Sequence, residues 1–383
     1  MNDLYRPFIK NDSHRKYFDK AGQLSSKVKN RADKQDEAAV FSPENLKDLK
    51  TARYFSLPLP EEYGGENISL YEFLLMQEKL AEGDGAVALS VGWHLGIVME
   101  LRDEQLWDSK MFEKIAQEIA SSQKVLNRAA SEPATGSPTR GGIPETRAVP
   151  QDGKYIINGK KTFTTMADVL DYYVVSAYIE DRDAVGWFLI EKGLSGVQVD
   201  HTWDTLGMRG TGSDDLVLTD VEVKADSLVE MADGKKSNPK GWLLHIPACY
   251  LGIAIAARND AIAFAKNFQP NSLDHPISEV GHIKQKIGEM ELKLMSARYF
   301  MYSVAERWDN EPAERTHMGA ELAAVKVVAT NAANEVVDLA MRIAGGRGLS
   351  KKYPFEKYYR DVRAGLHNPP MDDAVLNMLA ART

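Results

Sequence analysis

The feature that most constrains the fold is a change of hydrophobic period in the middle of the chain. Residues 1–122 and the residues from Gly241 onward follow helical spacing, whereas residues 123–232 alternate as strands do. Asn158-Gly159 lies between two strand-like runs and is a strong short signal for a hairpin. Further strands are predicted at 172–179, 186–191, 196–199 and 216–223. The pattern therefore predicts a compact β-domain inserted between two helical regions, an α+β fold.

Capping signals and apolar spacing locate the helices. Ser42 before Pro43 resembles an N-cap with proline at the first helical position, and Ser69 with Glu72 has the spacing of a capping box. Another apolar helix is predicted to begin near Trp93. After the β-domain, helices are predicted at 243–268, 281–308 and 317–344, with a break at 269–276. The small residues of the last helix suit close packing in a bundle.

Composition indicates a soluble globular protein. Of its 383 residues 44% are hydrophobic and 27% are charged, and the length suffices for two or three packed units. The net charge of −8 argues against nucleic acid or an anionic membrane as the main partner. The single cysteine, Cys249, excludes an internal disulfide and fits a reducing cytoplasm. Since the chain has no signal-peptide pattern and no apolar run of ~18 residues, we expect a cytoplasmic protein without a membrane partner.

The stretch 340–373 carries the most specific motifs. It ends a helical pattern at Gly345-Gly346 and breaks a later one at Pro369-Pro370. It resembles the end of acyl-CoA dehydrogenase-type flavoproteins, which read Gly-Gly-x-Gly, then Tyr-Pro-x-Glu-Lys, then Arg-Asp. The matching residues are Gly345, Gly346, Gly348, Tyr353, Pro354, Glu356, Lys357, Arg360 and Asp361.

The resemblance covers nearly the whole chain and implies its domain organisation. The order helical, β, helical is the order of domains in acyl-CoA dehydrogenases. We therefore expect an acyl-CoA dehydrogenase-like fold with an N-terminal helical domain at 1–122, a middle β-barrel-like domain at 123–234 and a C-terminal four-helix bundle at 235–383.

Two segments of the β-domain resemble the flavin-facing loops of that family. Residues 131–137 read Ser-Glu-Pro-Ala-Thr-Gly-Ser and are similar to the family's Thr-Glu-Pro-x-x-Gly-Ser loop. By this match Ser131 replaces the threonine near the flavin pyrimidine, and Gly136 and Ser137 match the pair on the phosphate side. Residues 158–165 read Asn-Gly-Lys-Lys-Thr-Phe-Thr-Thr and resemble the family's Asn-Gly-x-Lys-x-Trp-Ile-Thr segment. By this match Phe163 supplies an aromatic wall for the flavin, and Thr165 supplies a hydroxyl near N5.

The C-terminal region resembles the part of the family that contacts a second subunit's cofactor. Gly345 and Gly346 match backbone positions that contact the neighbouring FAD, and Arg342 stands at the family's glutamine. The family's Arg-x-x-Phe-Gly, which lines the FAD diphosphate, is replaced at 270–274 by Pro-Asn-Ser-Leu-Asp, so a bidentate phosphate partner is lost. The resemblance implies FAD, with FMN as the alternative, and a homotetramer or dimer with shared flavin sites.

The glutamate that usually removes the substrate proton in this family is missing. It normally follows the arginine of Arg-Asp by nine residues, where this chain has Pro369. Some members place it on the first helix of the C-terminal domain, where the matching pair is Cys249-Tyr250. Asp372 lies close in sequence to the usual position and is the alternative base, although an aspartate at a helix start is commonly a solvated feature.

His367 suggests a different chemistry. The sequence Leu-His-Asn-Pro at 366–369 resembles the Leu-His-Asp-Pro ending of dibenzothiophene-type flavin monooxygenases, with Asn368 in place of aspartate. Those enzymes take reduced flavin from a partner reductase and form a C4a-hydroperoxyflavin with oxygen. A histidine near the flavin can donate a proton in such a reaction, or it can simply cap the preceding helix.

These observations leave three hypotheses open. A reduced-flavin monooxygenase acting on a small molecule explains both missing glutamates and His367, and it is the favoured one. An acyl-CoA dehydrogenase would desaturate an acyl-CoA with hydride transfer to FAD, use Asp372 as its base and pass electrons to an electron-transfer flavoprotein. The third is a non-catalytic flavin- or acyl-binding relative. The first two are flavin-dependent oxidoreductases, and no metal site is predicted.

Overall fold

The N-terminal part of the protein is helical, in a computed structural model that describes residues 4–135, 142–232 and 238–382. The predicted capping box is present, since Ser69 Oγ accepts the Glu72 N–H and the Glu72 carboxylate accepts the Ser69 N–H. The helices are α1 (Asp12–Lys29), α2 (Ala32–Ala38), α3 (Pro43–Thr51), α4 (Leu70–Ala81), α5 (Gly85–Glu104) and α6 (Ser109–Ser122).

Helix α5 begins at Gly85, so the predicted start near Trp93 is wrong. Its N-cap is Asp84, whose carboxylate accepts the Ala86 N–H at 2.7 Å. The helix is apolar on nearly every side because it is buried between its neighbours. A Cβ added at Gly92 would lie 2.3 Å from His245, so this glycine allows the C-terminal helices to approach closely.

The middle of the chain folds into a mixed sheet. The strand order is β6-β7-β3-β2-β4-β5-β8, and β1 pairs in parallel with β4. The strands are β1 (Leu126–Ala129), β2 (Arg147–Gln151), β3 (Lys154–Lys161), β4 (Tyr172–Ile179), β5 (Ala184–Glu191), β6 (Val197–Asp200), β7 (Asp215–Lys224) and β8 (Leu228–Met231).

The predicted hairpin at Asn158-Gly159 is wrong, because β3 runs through these residues as one strand. The pairing with β7 shifts register there, and Asn158 holds the irregularity by donating to Asp220 at 3.0 Å and accepting the Asp220 N–H at 2.8 Å. The turn between β2 and β3 lies instead at Asp152-Gly153, both with positive φ (49° and 78°).

The C-terminal part is again helical. Its helices are α7 (His245–Asn267), α8 (Gly281–Asn310), α9 (Gly319–Ala344), α10 (Phe355–Arg363) and α11 (Asp372–Ala380). Helix α7 packs against α4, α5, α8 and α9. With the short turn before it, Gly241–Asn267 is long and apolar enough to cross a membrane, but 89% of its most apolar window is buried inside the protein. It is therefore the central core helix of the molecule.

A buried charge cluster on α10 joins the three parts of the chain. Lys357 Nζ lies 2.6 Å from Asp361 and 3.7 Å from Asp84, the N-cap of α5. Asp361 also accepts the Met208 N–H at 2.6 Å, and this bond ties the loop before β7 to α10. Burial alone would lower the pKa of Lys357, but the two carboxylates outweigh burial and raise it.

A second buried ion pair fixes the loop that follows β1. Glu132 contacts Lys161 of β3 at 2.5 Å, with neither side chain exposed, and also accepts the Thr146 hydroxyl at 2.7 Å. Burial would raise the pKa of Glu132, but the hydrogen bonds from Lys161 and Thr146 lower it to about 2. The pair thereby fastens the start of the loop to the sheet.

We expect Lys357→Met to destabilise the protein by about 3 kcal/mol, because Asp84 and Asp361 would be left buried without their cation. Denaturant unfolding measures the loss. Lys284→Met, which removes an exposed lysine from α8, is the matched control and should change the free energy of unfolding by less than about 0.5 kcal/mol. Equal stability of both variants would contradict the role given to the cluster.

We expect Glu132→Gln to lower the melting temperature at neutral pH, and the difference from wild type to shrink in acid. The stabilisation by Glu132 is complete above the unfolded-state pKa of about 4.3 and is lost as pH falls through the folded-state pKa of about 2. Thermal scans at stepwise lower pH measure the trend. Glu222→Gln, which breaks an exposed pair with Lys154, should show little effect at any pH.

Candidate functional site

Phe163 is an exposed aromatic ring at the end of β3. The side chain is 64% exposed, and its edge-to-face neighbour is Trp203 at 5.8 Å. The backbone of Phe163 has φ of 56°, a left-handed conformation that costs free energy for a residue with a side chain. A bulky ring held outward in a strained conformation suits stacking against a planar ligand, as predicted for a flavin wall.

Thr165 is bonded to the backbone of Phe163, since its N–H donates to the Phe163 carbonyl at 2.9 Å, and its hydroxyl belongs to a chain of hydroxyl groups. Its Oγ1 is 2.9 Å from Ser213 Oγ, which is 2.8 Å from Thr211 Oγ1, and its carbonyl accepts the Asn127 amide at 3.2 Å. The Thr211 hydroxyl donates to the Met208 carbonyl at 2.9 Å, so Ser213 must donate to Thr211 and Thr165 must donate to Ser213. The Thr165 oxygen keeps lone pairs that can accept a hydrogen bond from a ligand. Asn127, Thr211 and Ser213 are supporting residues that the sequence did not single out.

Ser131 lies in the loop that follows β1. Its carbonyl accepts the Thr162 N–H at 2.9 Å, so the backbone of Ser131 is bonded to the residue before Phe163. Its other neighbour is Glu132, which is anchored by Lys161. The structure therefore brings Ser131, Phe163 and Thr165 together at one edge of the sheet. Gly136 and Ser137, predicted for the phosphate side, lie outside the described residues.

The remaining predicted cofactor residues line a groove of about 450 Å³ between α7, α8 and the end of α9. Gly345 has φ of 59°, and a Cβ added at Gly345 or Gly346 would contact nothing within 4 Å, so their backbone is open to a ligand. Arg342 also lines the groove but is paired with Asp338 at 2.6 Å. The walls are mostly apolar, and they include Phe264, Phe268, Ile277, Val280 and Ile283.

Arg347 supplies a guanidinium that the sequence prediction missed. It lies over the ring of Phe268 at 4.2 Å, and within the described residues it has no carboxylate partner. Ser272 and Leu273, from the segment that lost the family's arginine, line the same groove. The groove therefore contains a guanidinium without a carboxylate partner among the described residues, and guanidinium groups are strong donors to phosphate.

His367 follows the short 3-10 turn at the end of α10 and is exposed. Its N–H donates to the Ala364 carbonyl at 3.0 Å, and among the described residues its imidazole has no hydrogen-bond partner. Its neighbour Asn368 accepts the hydroxyl proton of buried Tyr250 at 2.5 Å. The chain is therefore held at His367 by its backbone bond to Ala364 and at Asn368 by the bond from Tyr250, while the His367 imidazole makes no hydrogen bond within the described residues.

Asp372, the alternative base, is engaged in an ion pair. Its carboxylate accepts Lys326 Nζ at 2.9 Å and the Asn331 amide at 2.8 Å. Burial would raise the pKa of Asp372, but these two bonds outweigh burial and lower it. At the other customary base position, the Cys249 thiol is buried and donates to the Gly85 carbonyl at 3.2 Å. Neither group is arranged to take a proton from a substrate.

Comparison with known proteins covers all three parts of the fold. Residues 11–103, 127–221 and 244–366 match the N-terminal, middle and C-terminal domains of acyl-CoA dehydrogenase. A putative acyl-CoA dehydrogenase of Bacillus subtilis, YdbM, is 49% identical over 98% of each chain.

Two solved structures share the fold. Butyryl-CoA dehydrogenase from Megasphaera elsdenii superposes with a TM-score of 0.86 at 22% identity, covering 97% of this chain and 98% of that one. Dibenzothiophene monooxygenase from a Paenibacillus species gives 0.83 at 21% identity, covering 94% and 95%. The exposed ring of Phe163, the hydroxyl of Thr165 and the open glycines of the groove fit a flavin. The chain belongs to the acyl-CoA dehydrogenase family and is a flavin-dependent oxidoreductase.

Proposed function

We propose that the protein is a reduced-flavin monooxygenase that inserts oxygen into a small molecule. The observation that carries this proposal is the contrast between His367, whose imidazole is free within the described residues, and Asp372, whose carboxylate is committed to Lys326 and Asn331. Neither customary base position holds a carboxylate, and Asp372 is engaged, whereas an imidazole without a hydrogen-bond partner can accept or donate a proton.

The family binds FAD, and the described residues offer it contacts at both ends. Phe163 and Thr165 would lie against the flavin ring, with Ser131 at the pyrimidine edge. The open backbone of Gly345 and Gly346, together with Arg347, would receive the diphosphate of a cofactor held mainly by a second copy of the chain. These contacts support FAD rather than FMN as the cofactor, and we infer a homodimer or homotetramer in which two copies share each flavin site.

When bound and reduced, the flavin supplies the two electrons for oxygen activation, so that one oxygen atom enters the substrate and the other leaves as water. In this scheme His367 holds a proton at an imidazole nitrogen and delivers it where negative charge develops on oxygen. Thr165, whose proton is directed at Ser213, would accept a hydrogen bond from the reduced ring at its hydroxyl oxygen. Phe163, packed edge to face on Trp203, would shield one side of the ring from water.

The chemistry also implies partners. Reduced flavin must come from outside the described site, so we infer a flavin reductase as the redox partner and a reducing cytoplasm as the location. The substrate is a small aromatic or organosulfur molecule, by analogy with the dibenzothiophene monooxygenase whose fold is shared. The alternative is an acyl-CoA dehydrogenase with an electron-transfer flavoprotein as partner, and it is favoured by the YdbM relative.

We expect His367→Ala to speed the release of hydrogen peroxide about a hundredfold when the reduced FAD-loaded protein meets oxygen without substrate, because the proton donor that protects the oxygenated state is gone. Stopped-flow reoxidation with a peroxide assay measures this. Rapid bleaching of the oxidised flavin by butyryl-CoA, with peroxide release unaffected by the substitution, would instead establish the dehydrogenase and overturn the monooxygenase.

We expect Arg347→Ala to weaken FAD binding at least about tenfold and FMN binding much less, since a charge-assisted hydrogen bond to the diphosphate contributes ~1.5–3 kcal/mol. Titration of apo-protein followed by flavin fluorescence gives both affinities. Lys351→Ala removes an exposed positive charge nearby and serves as the matched control. Equal losses for FAD and FMN would contradict a contact on the adenosine side.

A further inference from the structure

Tyr250 is a buried tyrosine of α7 that the proposed chemistry does not use. Its side chain is 0% exposed, and among the described residues its hydroxyl has one hydrogen bond, to Asn368 Oδ1 at 2.5 Å. Burial raises the pKa of Tyr250 well above its ordinary value, so the hydroxyl remains a donor at any physiological pH. The bond joins the core helix to the residue directly after His367.

The ring of Tyr250 makes a second contact, on the other side of His367. A Cβ added at Gly365 would lie 2.9 Å from the Cγ and Cδ2 atoms of the tyrosine ring. The glycine therefore lets the backbone at 365 approach the ring more closely than any side chain would permit. Tyr250 thus holds the segment by its ring at Gly365 and by its hydroxyl at Asn368.

The hydroxyl bond also fixes the orientation of the Asn368 amide. Because the Tyr250 hydroxyl donates, the amide oxygen of Asn368 must face the tyrosine, and its NH₂ group is left to face elsewhere. Within the described residues this NH₂ group has no acceptor. A neutral donor therefore stands next to His367, where related monooxygenases carry an aspartate.

We propose that Tyr250 is a positioning residue, which holds the 364–368 segment so that the imidazole of His367 and the amide of Asn368 act together on the bound oxygen species. The inference rests on the proposed function, since it gives His367 the proton-donating role. The backbone of the segment is also closed by the 3-10 turn, in which the Ala364 carbonyl accepts the N–H groups of both His367 and Asn368, at 3.0 and 3.1 Å. These two amides report directly on whether the segment is held.

The test is Tyr250→Phe, which keeps the ring against Gly365 and removes only the hydroxyl. Hydrogen exchange of residues 364–368 in the FAD-loaded protein should accelerate at least about tenfold, since the segment opens more often. Peroxide release from the reduced protein in oxygen should rise in the same direction as in His367→Ala, while FAD affinity stays unchanged. Asn368→Ala should give the same two effects, and the double variant should be no worse than either single one.

The matched control is Tyr71→Phe, which removes another buried tyrosine hydroxyl, bonded to the Phe8 carbonyl at 3.0 Å in the N-terminal region. It should leave exchange at 364–368 and peroxide release unchanged. Unchanged exchange in Tyr250→Phe would overturn the positioning role, as would faster exchange with unchanged peroxide release. If His367→Ala alone fails to alter peroxide release, the proposed function fails, while the exchange result still decides whether Tyr250 holds the segment.

Discussion

The arrangement of the molecule depends on the buried contact between Lys357 and its two carboxylates. Asp84 belongs to the N-terminal helices, Asp361 to the C-terminal ones, and through the Met208 N–H the same cluster reaches the loop before β7. Taking three charges out of water is costly unless each finds its partner, so the buried cluster is stable only when Asp84 of the N-terminal region lies beside the Lys357–Asp361 pair of α10. The cluster links the three regions of the chain at one buried point.

The geometry of the candidate site depends on this charge cluster and on the ion pair of Glu132 with Lys161. The pair holds the start of the loop after β1 beside the end of β3, which brings Ser131 close to Phe163. The charge cluster orients α10, and the 3-10 turn that carries His367 continues directly from that helix. Ionic contacts outside the reaction centre thus decide where its polar groups stand.

Short sequence motifs correctly predicted the structural features that depend on contacts between residues close together in the chain. The capping box at Ser69, the N-cap at Ser42 and the long C-terminal helices follow from contacts within one turn of chain, and the structure confirms them. The hairpin predicted at Asn158-Gly159 does not form, because β3 pairs with β2 on one side and β7 on the other. This pairing outweighs the preference of the Asn-Gly dipeptide for a turn. Arg347, Ser213 and Tyr250 gain their places only from tertiary packing, so no spacing in the sequence could single them out.

Helix α7 has a consequence for how the chain is made. It is so apolar that, alone in water, it would expose a surface suited to aggregation or to a lipid bilayer. Synthesis proceeds from the N-terminus, so α4 and α5 are complete before α7 leaves the ribosome and can cover one side of it at once. The opposite side must wait for α8 and α9. The order of the three regions along the chain thereby shortens the time during which the apolar surface of α7 is exposed to solvent.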